Sequence, residues 1–450
     1  MTTLVSKIGT ARSSRAAQQD APPCTRTRAW RRALLSLLLG ALPVSGCSAG
    51  HDHEPAATSE AAITSELAKI LDFRFTGEVI GPRNGAPRKA VVAQLMYVQG
   101  ILTTARHGNG QIRNVKLTNV RETAEGDKKR ITYEASLPVA WPDDLEVPSS
   151  YELTLPRDVT ERARFDEKYD GRCGRRLHGK DTFWHDFDPN ARRCKLDDAD
   201  VTRRKVTVAP HSGETQNKYP EYDLLWADDR LGVVAIFGII ERKKRDDYGF
   251  SEADRFIRSA AGLLSKARTT DNQPSESILL HTTVTGSATV GGRTRDVAVD
   301  VFVVDRIERT GADFDARYDA LTENADILMY NGHTESGEGL DALSHKGKVV
   351  PGHYQLVLLN GCQSFALMDD TMTHRRRAAN GDADPAGTKF LDVVTNALPG
   401  YADTLASVSA GLLAAAVKAD TPKHYNELLS TMPEANVAVV FGEEDNRFTP

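Results

Sequence analysis

Two passages constrain the fold more than any other part of this 450-residue chain. Ile327-Leu328-Met329-Tyr330-Asn331-Gly332-His333 and Leu356-Val357-Leu358-Leu359-Asn360-Gly361-Cys362 share one plan. A short apolar run ends in Asn-Gly, and one reactive residue follows. Such a run, bounded by turn residues, fits a strand buried on both faces, as in a parallel sheet. Glycine permits the sharp exit from the sheet. Ligand crevices of open α/β sheets lie beyond the carboxyl ends of the strands. If the two strands are neighbours, an imidazole and a thiol arrive together at that edge.

That pairing has a chemical use. A thiol attacks a carbonyl as its thiolate, and a nearby histidine removes the proton or holds the ion pair. Cys362 would be the nucleophile and His333 the base. The Cys362 amide, at the turn after its strand, would donate to the developing oxyanion. The same residues also fit a plainer reading, in which the cysteine is a small buried hydrophobe and the histidine a polar strand terminus.

Tyr330-Asn331-Gly332-His333-Thr334 and Leu358-Leu359-Asn360-Gly361-Cys362-Gln363-Ser364 resemble the His and Cys motifs of the caspase-like cysteine peptidases. That superfamily includes caspases, gingipains, separase and the CHAT domains. The resemblance covers roughly residues 222–450. It implies a caspase-like, mainly parallel α/β sheet domain there, a polypeptide substrate and no cofactor. It also implies His333 and Cys362 as the catalytic pair, with oxyanion donors at Cys362 and Thr334. The family usually has glycine where this chain has Thr334. Glu335, Glu338 and Asp369 are the candidates for orienting His333.

The N-terminus reads as targeting sequence. Arg26, Arg28, Arg31 and Arg32 precede a short apolar stretch at 33–42, which ends in Val44-Ser45-Gly46-Cys47. A ten-residue stretch is too short for a comfortable membrane span but suits a signal peptide. Cysteine after small residues resembles the bacterial lipobox. Residues 1–46 would then be a lipoprotein signal peptide, with Cys47 acylated and anchored in the lipid bilayer. Ser48 rather than aspartate follows, which by resemblance to bacterial lipoprotein sorting implies the outer membrane. An ordinary secretory signal is the alternative. The whole chain carries 57 basic and 62 acidic residues, a net charge of −5. Seven basic residues and one acid precede Cys47, so the processed chain has 50 against 61, or −11. A net acidic protein has no general attraction for nucleic acid.

Residues 47–58 read as a tether, in which His51 and His53 are solvated or hold a metal ion. A smaller α+β domain is expected over 59–205, with a helix at 59–71 and a buried helix at 90–104. A hairpin turning at 122–129 and a strand around Tyr151, Leu153 and Leu155 follow. In an exported chain Cys173 and Cys194 are expected to form a disulfide. A Cys₂His₂ zinc site with His178 and His185 is the weaker alternative, since the spacing does not match a zinc finger. Asp186, Asp188, Asn190 and Asp197 echo a calcium loop without its glycine. No metal site is assigned on these signals.

Residues 206–221 are polar and read as a linker. Beyond them strands and helices alternate, which predicts a mainly parallel sheet. Strands are expected at 233–240, 278–280, 297–304 and 437–441, with a hairpin at Gly291-Gly292. Helices are expected at 251–266 with Ser251 as N-cap, around Phe314, Tyr318 and Leu321, at 389–398 and at 407–419. A polar loop at 374–385 would expose a processing site near Arg377. Cys24 leaves with the leader, Cys47 is acylated and Cys173 pairs with Cys194. Cys362 is then the unpaired thiol, either reactive or buried and inert. A catalytically inactive module that binds a partner remains the rival to a peptidase.

Overall fold

The structure, a computed structural model, describes residues 62–174, 182–213, 215–241 and 247–450, with the backbone alone at Glu335. The leader at 1–46, Cys47, the tether with His51 and His53, and His178 lie outside the described residues. Among the described residues, fifteen strands occur. They are β1 (Ile63–Thr64), β2 (Ala68–Pro82), β3 (Asn109–Gly110), β4 (Lys116–Glu125), β5 (Lys128–Pro142), β6 (Ser150–Pro156), β7 (Val201–Pro210), β8 (Arg230–Gly238), β9 (Ser265–Asn272), β10 (Leu280–Val290), β11 (Arg293–Val304), β12 (Ile327–Asn331), β13 (Gln355–Asn360), β14 (Leu391–Asn396) and β15 (Ala438–Phe441).

Nine of them form one mixed sheet in the order β1-β15-β14-β13-β12-β8-β11-β10-β9. Its centre, β14-β13-β12-β8-β11, is parallel. Antiparallel strands close both ends. The chain is therefore α/β in class, and the sheet is parallel only at its centre. The central strands are apolar runs such as Val233-Val234-Ala235-Ile236-Phe237, buried along their length. Helices cover them, among them Tyr248–Leu263 and Leu405–Val417 on one side. No described helix is long and apolar enough to cross a membrane.

The other six strands form a wholly antiparallel sheet, β3-β5-β2-β7-β6 with β4 beside β5. The buried helix expected at 90–104 is present as Pro87–Thr104, with proline in its first turn where the missing N–H costs nothing. The expected hairpin is β4–β5. Cys173 and Cys194 are disulfide-bonded at a Cα–Cα distance of 4.5 Å, which removes both from any zinc site. The loop carboxylates close local turns instead. Asp188 Oδ1 accepts from Asn190 N at 2.9 Å, and Asp197 Oδ1 from Ala199 N at 3.0 Å.

One hydrophobic core joins the two sheets. Phe73, Leu95, Leu137 and Phe187 belong to the same buried cluster as Val234, Ile236, Val357 and Leu359 on one face of the larger sheet. Alternate residues Val233, Ala235 and Phe237 face a second core under the helices. That is the period-two alternation of a strand covered on both faces.

Several local expectations are corrected. The described part of 59–71, from Ala62, is not a helix: Ile63 pairs with Phe441, and β2 starts at Ala68. The helical spacing of Ile63, Leu67 and Ile70 is overridden by sheet pairing. The segment 206–221 begins inside β7, hydrogen-bonded to β2 and β6. It continues with Thr215 donating to Glu443 at 2.8 Å and Lys218 to the Asn446 carbonyl at 2.7 Å. Where a helix is expected at 389–398 the chain forms strand β14, Leu391–Asn396, as the β-branched Val393-Val394-Thr395 prefer. The expected loop at 374–385 opens as the helix Thr371–Asn380. There Arg375 donates to the carbonyls of Ser344, Lys346 and Gly347, and Arg376 is buried against Gln355. The N-cap of helix Tyr248–Leu263 is Asp247 rather than Ser251.

Candidate functional site

Strands β12 and β13 are parallel neighbours in register, with Asn331 opposite Asn360. His333 and Cys362 each lie two residues beyond that pair, so both leave the same edge from adjacent strands. A third strand stands beside them and shares their terminal asparagine, though not the glycine. β14 pairs with β13 and also ends in asparagine, Asn396.

The three asparagines form a ladder beneath the edge. Asn360 Nδ2 donates to Asn331 Oδ1 at 2.9 Å, and Asn396 Nδ2 donates to Asn360 Oδ1 at 2.9 Å. Ser409 Oγ adds a donor to Asn331 Oδ1 at 3.0 Å. All four side chains are buried. Buried amides that bond one another fix the strand ends in register, because leaving any of them unpaired costs about 1–3 kcal/mol.

Glycine lets the loops above the ladder approach closely. A Cβ on Gly361 would lie 2.8 Å from Thr334 Cγ2 and 2.9 Å from the Gly332 carbonyl. One on Gly332 would lie 3.2 Å from the Gly238 backbone. Both are closer than side chains tolerate without a shift, so the Asn-Gly pairs serve packing between strands β8, β12 and β13 as well as the turn.

Each reactive residue holds a main-chain carbonyl from the neighbouring strand. His333, exposed at the edge, has Nε2 3.0 Å from the Ile240 carbonyl, just past β8. A carbonyl only accepts, so Nε2 donates and carries the hydrogen. Cys362 Sγ donates to the Gly400 carbonyl at 3.7 Å, just past β14. The sheet order β14-β13-β12-β8 thus becomes Gly400, Cys362, His333, Ile240 along one edge. Among the described residues, no hydrogen bond joins the imidazole to the sulfur. Burial pushes the Cys362 thiol pKa up, partly offset by backbone groups at Gly400 and Cys362 itself. In this resting arrangement the sulfur is a neutral thiol.

Thr334 is buried and ties the two loops together. Its Oγ1 donates to the Cys362 carbonyl at 3.0 Å, and Tyr330 Oη donates to the His333 carbonyl at 2.5 Å. Of the carboxylates expected to orient His333, Asp369 accepts from Thr371 N at 3.0 Å, Glu338 is exposed, and the side chain of Glu335 lies outside the described residues. The ring's partner is instead the Ile240 carbonyl. No side-chain pattern marks a main-chain acceptor, so sequence reasoning missed both Ile240 and Gly400. Among the described residues no cluster of His, Cys, Asp and Glu could hold a metal ion.

The sequence matches no protein-family model and no curated protein.

Proposed function

We propose that this chain is an exported lipoprotein carrying a cysteine-peptidase-like module of caspase-like fold, in which His333 and Cys362 hydrolyse peptide bonds. The observation that supports the reading best is the set of parallel strands sending Ile240, His333, Cys362 and Gly400 to one edge. With Nε2–H held by the Ile240 carbonyl, Nδ1 is left to accept a proton. The thiol leaves the Gly400 carbonyl, passes its proton to Nδ1, and the thiolate attacks the scissile carbonyl carbon. The backbone amides of Cys362 and Thr334 are the donors for the oxyanion. His333 then returns the proton to the leaving amine, and water hydrolyses the thioester.

An electrophilic peptide probe tests this. It should label Cys362 in the wild type, and His333→Ala should suppress the labelling. Labelling that is indifferent to His333 would remove the catalytic pair.

A second reading has its own observation. The thiol is half-buried with its pKa raised, and Thr334 fills the space beside Gly361, as suits a module that binds a partner without catalysis. No labelling of wild type, restored by Thr334→Gly, would assign the loss to that side chain. The anchor is tested separately: Cys47→Ser should abolish acyl labelling and release the protein from outer membranes.

A further inference from the structure

The contact between His333 and Ile240 has a support behind it. Asp247 is buried, at 2% exposure, and caps the helix Tyr248–Leu263 by accepting from Gly249 N at 2.7 Å. A helix cap needs no more than that. The same carboxylate also accepts from Ile240 N at 3.1 Å through Oδ1, and from Glu241 N through Oδ2.

The Glu241 N–H and the Ile240 carbonyl belong to one peptide unit. The described chain has no cis peptide, so the two groups point in opposite directions across a rigid plane. Holding the N–H on Asp247 therefore aims the carbonyl away from Asp247. It is aimed at His333 Nε2, 3.0 Å off. The chain of groups runs carboxylate, peptide N–H, peptide carbonyl, imidazole N–H. Hydrogen bonds in such a chain polarise one another, and the negative end strengthens the carbonyl as an acceptor. Before this point the strand is still held by the sheet, where Ile239 N donates to the Val304 carbonyl at 3.0 Å. Ile240 is where the chain departs and where orientation must come from elsewhere.

We propose that Asp247 is a positioning residue for His333, acting through the Ile240–Glu241 peptide unit to hold the ring as the Nε2–H tautomer. The catalytic meaning of that tautomer rests on the peptidase reading, whereas the tautomer itself does not.

The experiment is nitrogen-15 NMR of histidine-labelled protein, with the His333 signals assigned from His333→Ala. Wild type should show His333 as the Nε2–H tautomer at a pH where the ring is neutral. Asp247→Ala should move the two tautomers toward the distribution of free imidazole, raising the Nδ1–H population about five-fold for the loss of one ordinary hydrogen bond. Asp247→Ser separates positioning from capping. Serine caps helices well but is too short to reach Glu241 N as well, so the helix should survive while the tautomer preference is lost. Asp247→Asn keeps one carboxamide oxygen as an acceptor and should fall between wild type and serine. If Asp247→Ala does not fold, the serine and asparagine variants decide. An unchanged tautomer in folded Asp247→Ser overturns the proposal. A tautomer that shifts while Cys362 takes no probe in wild type keeps the positioning role and removes the peptidase.

Discussion

Asp392 sits at the second position of β14, fully buried, in the half of the strand remote from Asn396. Its Oδ2 accepts from Tyr354 Oη at 2.6 Å, from Asn446 Nδ2 at 2.6 Å and from Tyr425 Oη. Burial raises its pKa from 3.8 to about 7, against the lowering effect of those donors and with added repulsion from Glu221. In the unfolded chain the group titrates near its ordinary value. Below about pH 4 both states hold the proton and the linkage is silent. As pH rises toward 7 the unfolded chain loses the proton and the folded one keeps it, so stability falls. Above 7 the loss is complete. Three pH units correspond to about 4 kcal/mol. Asp392→Asn removes the titrating group and keeps its shape. In urea unfolding with the disulfide intact, the variant should gain on the wild type by up to about 4 kcal/mol between pH 4 and pH 8. Part of the slope should remain, because Glu443 is also buried and is raised to about 8. Parallel stability curves for the two proteins across that range would refute the argument.

Opening the Cys173–Cys194 bridge by Cys194→Ser should cost about 3 kcal/mol for a loop of this size, read as a lower urea midpoint under non-reducing conditions. Gly361→Ala should destabilise by roughly 1–3 kcal/mol through overpacking. Thr334→Ser, which removes the Cγ2 contact but leaves the Gly332 carbonyl, should restore only part of that loss. Arg375 and Arg376 are held in a helix, so brief trypsin treatment of the native protein should leave 374–385 intact, as checked by mass spectrometry of the fragments.

The reactive edge was legible because its strands are short, apolar and marked by the same Asn-Gly ending. Glycine there carries packing information, and that is visible in a sequence. The third strand of the set escaped because Asp392 and Thr395 interrupt its apolar run, although Val393 and Val394 favour a strand. β9, Ser265–Asn272, was not foreseen at all. It is polar and almost wholly exposed, has no period to read, and exists because β10 pairs with it. The helix at Thr371–Asn380 is similarly polar; what places it is the bonding of Arg375 and Arg376 to distant backbone and Gln355.

The antiparallel half is tied to the reactive edge itself. Gln363, the residue after Cys362, is left-handed with φ 55° and fully buried. Its amide donates to Thr103 Oγ1 at 2.9 Å and its carbonyl oxygen accepts from Gln99, both on the helix Pro87–Thr104. The loop after His333 is held from the same side, with Ser336 at φ 56° and its carbonyl accepting from Arg113 at 3.3 Å. A left-handed non-glycine residue costs about 1–3 kcal/mol and persists only where its surroundings dictate it. Here those surroundings come from 99–113 in both cases. The geometry of His333 and Cys362 is therefore a property of the whole described unit and not of 222–450 alone. A fragment beginning at 222 would lack Gln99, Thr103 and Arg113 and release both loops together.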